Sequence, residues 1–228
     1  GTLEQITFRL TALHQQFGDR VPMITPPRGL ELAIDKFHTL AILDRLGFPT
    51  PPTRLAQSRD LAMAAFEELG QDCVVKPLFG GEGRGVMRVA DKELAWYTFS
   101  SLEQLGAVIQ VQKFIAPGGR DTRLLVIGDN VFGIRRQNDR SFRSNVAAGA
   151  KCTRIDLSKE LVESAKTITR RFGLHFASVD LIDNEGGPAL FLEVNAVPGW
   201  KGAQRVLDES IADCVVETLE RLCEARDD

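Results

Sequence analysis

Phe191-Leu-Glu-Val-Asn-Ala-Val-Pro-Gly199 reads as a half-buried strand that opens out at a Pro-Gly turn, and it faces a partner. Upstream, Leu181-Ile-Asp-Asn-Glu-Gly-Gly-Pro-Ala-Leu190 supplies a strand end, a turn centred on Gly186 and Gly187, and a new strand. The turn sets the register of a hairpin. Symmetry about the Gly pair places Asp180 across from Glu193, and Glu193 and Asn195, two apart, share one face. Three oxygen-bearing side chains then meet on one patch of sheet. Facing carboxylates repel unless a cation lies between them, and an all-oxygen set suits Mg²⁺ or Mn²⁺ held together with phosphates. On this reading, removing either carboxylate leaves the fold intact and can even stabilise the metal-free protein.

The rest of the composition narrows the class. A chain of 228 residues can bury a substantial core. A net charge of -3 and a pI near 5.7 argue against direct nucleic-acid binding or a membrane-surface role. No apolar run approaches a membrane span and no signal-peptide pattern opens the chain, so a cytoplasmic protein is expected. Cys73, Cys152, Cys214 and Cys223 lack zinc-site spacing and disulfide density, which leaves buried thiols in a reducing compartment.

Periodicity organises the chain. Helices are expected over residues 2–17, 30–46, 60–69, with Ser58 as cap, 91–105, with Asp91 as cap, and 158–172. Short strands are expected at Cys73–Pro77, Val86–Val89 and Val108–Phe114. Pro117-Gly118-Gly119 reads as a hinge. A hairpin then joins Thr122–Ile127 to Val131–Arg136, followed by a polar, basic stretch over 137–149. Interspersed helices and antiparallel hairpins favour an α+β fold over a doubly wound one.

The loop Phe79-Gly-Gly-Glu-Gly-Arg-Gly-Val86 can bring backbone N–H groups close to phosphate. It follows neither the dinucleotide nor the P-loop fingerprint, since a strand succeeds it and no Gly-Lys-Ser/Thr is present. Lys76, at the strand end before this loop, adds a phosphate-holding cation, and Lys36 is a second candidate on the preceding helix. Arg120, Arg123, Arg135, Arg136, Arg140 and Arg143 gather around one hairpin and suit an anionic ligand. No Ser-His-Asp or Cys-His constellation points to nucleophilic hydrolysis.

Taken in order, Lys76, the Gly80–Gly85 loop, Gln112-Lys-Phe-Ile115, Arg143-Ser-Asn145, Asp180 and Glu193-Val-Asn195 resemble the ATP-grasp ligases. The RimK-type α-L-glutamate ligases, which include tetrahydromethanopterin and ribosomal-protein glutamate ligases, are the branch most similar. The resemblance implies an ATP-grasp fold in which two α+β subdomains, residues 30–115 and 116–228, clamp ATP. Residues 1–29 would then be the remnant of a mostly absent pre-grasp domain. It implies that Lys36, Lys76, Gly81, Gly83 and Gly85 serve the ATP phosphates. The backbone of Gln112, Lys113, Phe114 and Ile115 would read adenine, in a segment that usually carries Glu where Lys113 stands. Asp121 would face the ribose, Arg143, Ser144 and Asn145 the phosphates, and Asp180, Glu193 and Asn195 would hold Mg²⁺ or Mn²⁺. Arg123 and Arg143 would be the catalytic cations. The implied reaction phosphorylates an acceptor carboxylate and lets the amine of L-glutamate displace the phosphate. The implied acceptor is a small cofactor or a protein C-terminus, and a homo-oligomer is compatible with this. A nucleotide-binding module without ligase activity, and a peptide-ligase type with another amine substrate, stand as alternatives.

Overall fold

The computed structural model describes residues 3–80 and 83–227. Two antiparallel sheets face each other across a cleft. The smaller, in order β1-β4-β2-β3, comprises β1 (Thr53–Ala56), β2 (Cys73–Pro77), β3 (Met87–Val89) and β4 (Ile109–Lys113). The larger runs β7-β6-β5-β8-β9, from β5 (Arg120–Ile127), β6 (Asn130–Gln137), β7 (Lys151–Ile155), β8 (Phe176–Ile182) and β9 (Leu190–Asn195). The helices are α1 (Leu3–Phe17), α2 (Pro27–Ile34), α3 (Lys36–Arg45), α4 (Arg59–Glu68), α5 (Lys92–Gln104), α6 (Lys159–Phe172), α7 (Lys201–Gln204) and α8 (Ile211–Asp227). This is the expected α+β architecture.

Period-two alternation builds both walls of the cleft. In the small sheet Cys73, Val75, Ile109 and Val111 pack against Phe66 of α4 and Phe99 of α5. The intervening Val74, Lys76 and Gln112 therefore turn to the cleft. In the large sheet Leu124, Val126, Val179, Phe191 and Val194 pack under α2, α3 and α6. Asp121, Arg123, Arg136 and Glu193 lie on the opposite face and line the cleft. Farther along that face Leu125, Ile127 and Ile134 meet Ala203, Leu207 and Ile211.

Local chemistry places the helix starts. Ser58, Asp91 and Ser158 accept from the amides of Leu61, Leu94 and Leu161, which caps α4, α5 and α6. The single helix expected over 30–46 is two. Asp35, extended at φ -84° and ψ 102°, ends α2 and caps α3 by accepting from the His38 amide. That break puts Lys36 at the first turn of α3. By packing, α2 and α3 side with the large sheet through β9, although the sequence groups them with the small one. The stretch after β6, expected only to be polar and basic, leads into the exposed edge strand β7. All four cysteines are free, but only Cys73 is buried and Cys223 is exposed, which corrects the expectation of buried thiols.

Candidate nucleotide and metal site

Asp180 does pair with Glu193, but a bulge produces the match. Next to the turn, Ile182 pairs with Leu190 and Leu181 with Phe191. After the irregularity, Asp180 pairs with Glu193 and Ser178 with Asn195. Leu192 is the extra residue on β9. A bulge breaks the strict alternation of faces. Leu192 and Glu193 consequently both line the cleft while Phe191 and Val194 stay in the core.

The cations that hold Asp180 are already part of the protein, on β5 and β6, the side of β8 away from Glu193. Asp180, 1% exposed, accepts from Arg123 Nε at 2.8 Å and Nη2 at 2.7 Å, and from Arg136 Nη2 at 2.8 Å. Burial opposes its charge, yet the two guanidiniums outweigh burial and hold its pKa below the usual carboxylate range. This overturns the expectation that removing Asp180 relieves strain in metal-free protein. A carboxylate offers about four lone-pair positions. Three are taken here, which leaves one for another ligand. Glu193 is pushed the other way, its pKa raised by burial and by Asp180, with Lys76 partly offsetting both. The Asn195 Oδ1 accepts from the Val197 amide at 3.0 Å.

Opposite lie the lysines. Lys76 Nζ donates to Gln112 Oε1 at 2.7 Å, and the same amide group donates to Thr53 Oγ1 at 2.8 Å. Burial lowers Lys76 to about 8, with Glu193 opposing and Lys36 reinforcing. Lys36 Nζ donates to the Gly80 carbonyl at 2.7 Å, and burial lowers its pKa too. Gly83, at φ 70°, comes so near Asn145 that an added Cβ would lie 3.2 Å from its Oδ1. Gly85 is also left-handed, at φ 71°, and sits over Pro77. Gly81 lies outside the described residues.

Gln112, Lys113, Phe114 and Ile115 form one end of the cleft. The Lys113 and Phe114 amides donate to the carbonyls of Pro52 and Asp72, both at 2.9 Å. The Ile115 amide makes no hydrogen bond among the described residues. Arg88 stacks on Phe114 at 3.5 Å from the ring centroid. Arg143 donates to the Val86 carbonyl beyond the glycine loop, and its Nε is buried with no partner among the described residues.

Asp121 is 2% exposed and closed in. Arg136 chelates it at 2.6 and 2.5 Å, and Ser144 Oγ donates to it as well. Three of its roughly four lone-pair positions are taken, which leaves one for a further contact from the cleft. The arginine cluster divides by strand face. Arg123, Arg136 and Arg143 line the cleft, whereas Arg120 and Arg135 pair with Asp183. Sequence reasoning put Arg136 in the cluster without a role. It also missed Asn138 and Ser141, which hold the loop after β6 through the Arg143 carbonyl and amide. Alternation along β6 was the available signal for Arg136, since neighbours on a strand cannot share a face.

Taken together, the site is a cleft of about 450 Å³ between two antiparallel sheets, cationic on both walls, with a carboxylate and an amide on its floor. The model of the RimK-like ATP-grasp domain matches residues 33–219. The chain belongs to the RimK-like ATP-grasp family. It is 31% identical to the tetrahydromethanopterin:alpha-L-glutamate ligase of Methanocaldococcus jannaschii, over 87% of this chain and 70% of that protein. It is 35% identical to a "Probable alpha-L-glutamate ligase" of Legionella pneumophila, over 82% of this chain and 63% of that protein. The ATP-grasp fold also appears in the ATP-grasp ligase PsnB, solved with a precursor variant, Mg and ADP. That structure matches 99% of this chain and 69% of its own at a TM-score of 0.74 and 22% identity. Among the described residues of this ATP-grasp chain, no three His, Cys, Asp or Glu side chains stand together as a metal cluster. An ion here needs the Asn195 amide oxygen or ligand oxygens beside Glu193.

Proposed function

We propose that this chain clamps ATP in a ligase that joins the amine of L-glutamate to an acceptor carboxylate with release of ADP. The observation that carries the reading is the convergence of Lys36, Lys76, Arg123 and Arg143 on the floor that bears Glu193 and Asn195. A polyphosphate needs cations of this density, and the unpartnered Nε of Arg143 is a donor awaiting an anion. At the far end, the Ile115 amide supports recognition of a base through the backbone. Glu193, Asn195 and the remaining lone pair of Asp180 fit a hard divalent ion and would hold Mg²⁺ or Mn²⁺. Such an ion would neutralise charge on the transferring phosphoryl group.

The chain's own part is positioning and charge. Lys36 and Lys76 draw the phosphates against the glycine loop. Arg143 and Arg123 offset the charge of an acceptor carboxylate as it takes the γ-phosphoryl group and ADP departs. The glutamate amine then attacks the acyl carbon and phosphate leaves, with the amine proton passing to phosphate or solvent. No protein nucleophile is required, and acceleration comes from alignment and preset electrostatics. The names of the curated relatives support glutamate as the amine, and one of them supports a pterin-type cofactor as acceptor, with a protein C-terminus as the other acceptor class to test. No helix among the described residues is long and apolar enough to cross a membrane, in keeping with a cytoplasmic reaction.

The test is to supply pterin cofactors and C-terminal peptides with ATP, Mg²⁺ and hydroxylamine in place of glutamate. A hydroxamate that depends on acceptor, ATP and metal together is expected, with an amide forming when glutamate is restored. ADP without either product across the acceptors would favour an ATPase or a binding module.

A further inference from the structure

We infer that Arg136 and Asp121 are positioning residues that tie the metal-facing carboxylate to the loop over the phosphates. Arg136 sits 6% exposed on β6, and its guanidinium is shared. Nε and Nη2 chelate Asp121, and the same Nη2 reaches Asp180 Oδ2 at 2.8 Å. Asp121 passes the connection on by accepting from Ser144 Oγ. Ser144 is flanked by Arg143 and Asn145, and these meet the glycine loop at its far end and its middle. Arg143 donates to the Val86 carbonyl, and Asn145 abuts Gly83.

One unbroken chain of contacts thus runs from Asp180 through Arg136, Asp121 and Ser144 to the phosphate loop. Each link within the sheet is short, charged and buried, which makes it stiff and costly to rearrange. Surface loops are ordinarily the most mobile parts of a fold. Here the 143–145 segment is anchored by a hydroxyl to a buried carboxylate, so the side chain of Arg143 is aimed before any ligand arrives. Asp121, read from the sequence as a ribose contact, is by this geometry an anchor. The use of the anchor in catalysis rests on the ligase reading. Its existence can be tested without nucleotide.

The experiment is hydrogen exchange of the ligand-free protein, comparing Ser144→Ala, Asp121→Asn and the double variant with wild type. Loss of the Ser144 link should speed exchange of amides 143–149 and 83–86 roughly tenfold, the equivalent of ~1.4 kcal/mol. Exchange in β5 and β8 should stay as it is in Ser144→Ala. The double variant should loosen the loop no more than Asp121→Asn does, because both changes cut one contact. Ser144→Thr, which keeps the hydroxyl, should restore protection. Ser144 is only half buried, so the Ala variant keeps the test alive should Asp121→Asn fail to fold. With Mg·AMP-PNP added, wild type should gain protection in both segments and Ser144→Ala should gain less. Unchanged loop exchange in Ser144→Ala, or additive effects in the double variant, would overturn the inference. Absence of any nucleotide-induced protection in wild type would instead count against the ATP-clamping function.

Discussion

Replacing Asp180 with Ala should cost the metal-free protein about 3 kcal/mol of stability. The side chain is 1% exposed and accepts three guanidinium N–H bonds of 2.7–2.8 Å. Truncation leaves Arg123, whose side chain is 12% exposed, without that carboxylate, whereas Arg136 keeps Asp121. Removing one partner of a buried ion pair costs ~3–5 kcal/mol, because the other charge is left uncompensated. Glu193 lies directly across on β9, and its repulsion with Asp180 disappears in the variant. Arg123 can also turn toward it, which places the loss at the low end of that range. Because the folded pKa of Asp180 is depressed, its contribution is complete above the unfolded-state value of ~3.9. It is lost only as pH falls through the folded value, so neutral pH measures it in full. Urea unfolding in a chelator is the assay. With a slope of about 3 kcal/mol per M, the midpoint should fall by roughly 1 M. An Asp180→Ala protein at least as stable as wild type would refute the pairing and restore the picture of two uncompensated carboxylates.

Nucleotide affinity should decline as pH rises through about 8, because burial lowers Lys76 to that value and the neutral amine no longer attracts phosphate. Calorimetry with Mg·ADP on either side of that pH is the check, and Lys76→Arg, which stays charged, should flatten the profile. A wild-type affinity indifferent to pH would remove Lys76 from the phosphates. Asp35→Ala should lower stability by about 1 kcal/mol by deleting the cap of α3, and should weaken nucleotide binding through Lys36 in the same turn. Thermal melts and the same calorimetry test this, and a variant with both unchanged would show that the cap does not fix Lys36.

What was legible in the sequence was what short-range chemistry settles. Ser58 and Asp91 cap the helices they precede, since a side-chain oxygen two or three residues from a free amide needs no tertiary help. The Asp180–Glu193 pairing expected from a symmetric Gly186-Gly187 turn is present, but the turn alone sets Ile182 against Leu190, and the bulge at Leu192 brings Asp180 opposite Glu193 and puts Leu192 and Glu193 on the cleft face. Edge strand β7, Lys-Cys-Thr-Arg-Ile, escaped because exposed edges carry little apolar alternation. The break at Asp35 escaped because the apolar spacing of 30–46 runs through it.

The sequence by itself determined the residue types of the site and their order along the chain. Only the tertiary structure decided who holds whom. Arg136 and Asp180 lie 44 positions apart, and Lys36 reaches a carbonyl in the glycine loop equally far along the chain. Their meeting depends on the strand order β6-β5-β8 and on α3 packing against β9. Turn and cap rules act within a few residues, whereas the partner of a buried charge is fixed by whichever strand is laid beside it. That is why two carboxylates that looked uncompensated in sequence are, in the fold, a carboxylate gripped by two arginines beside one facing a lysine.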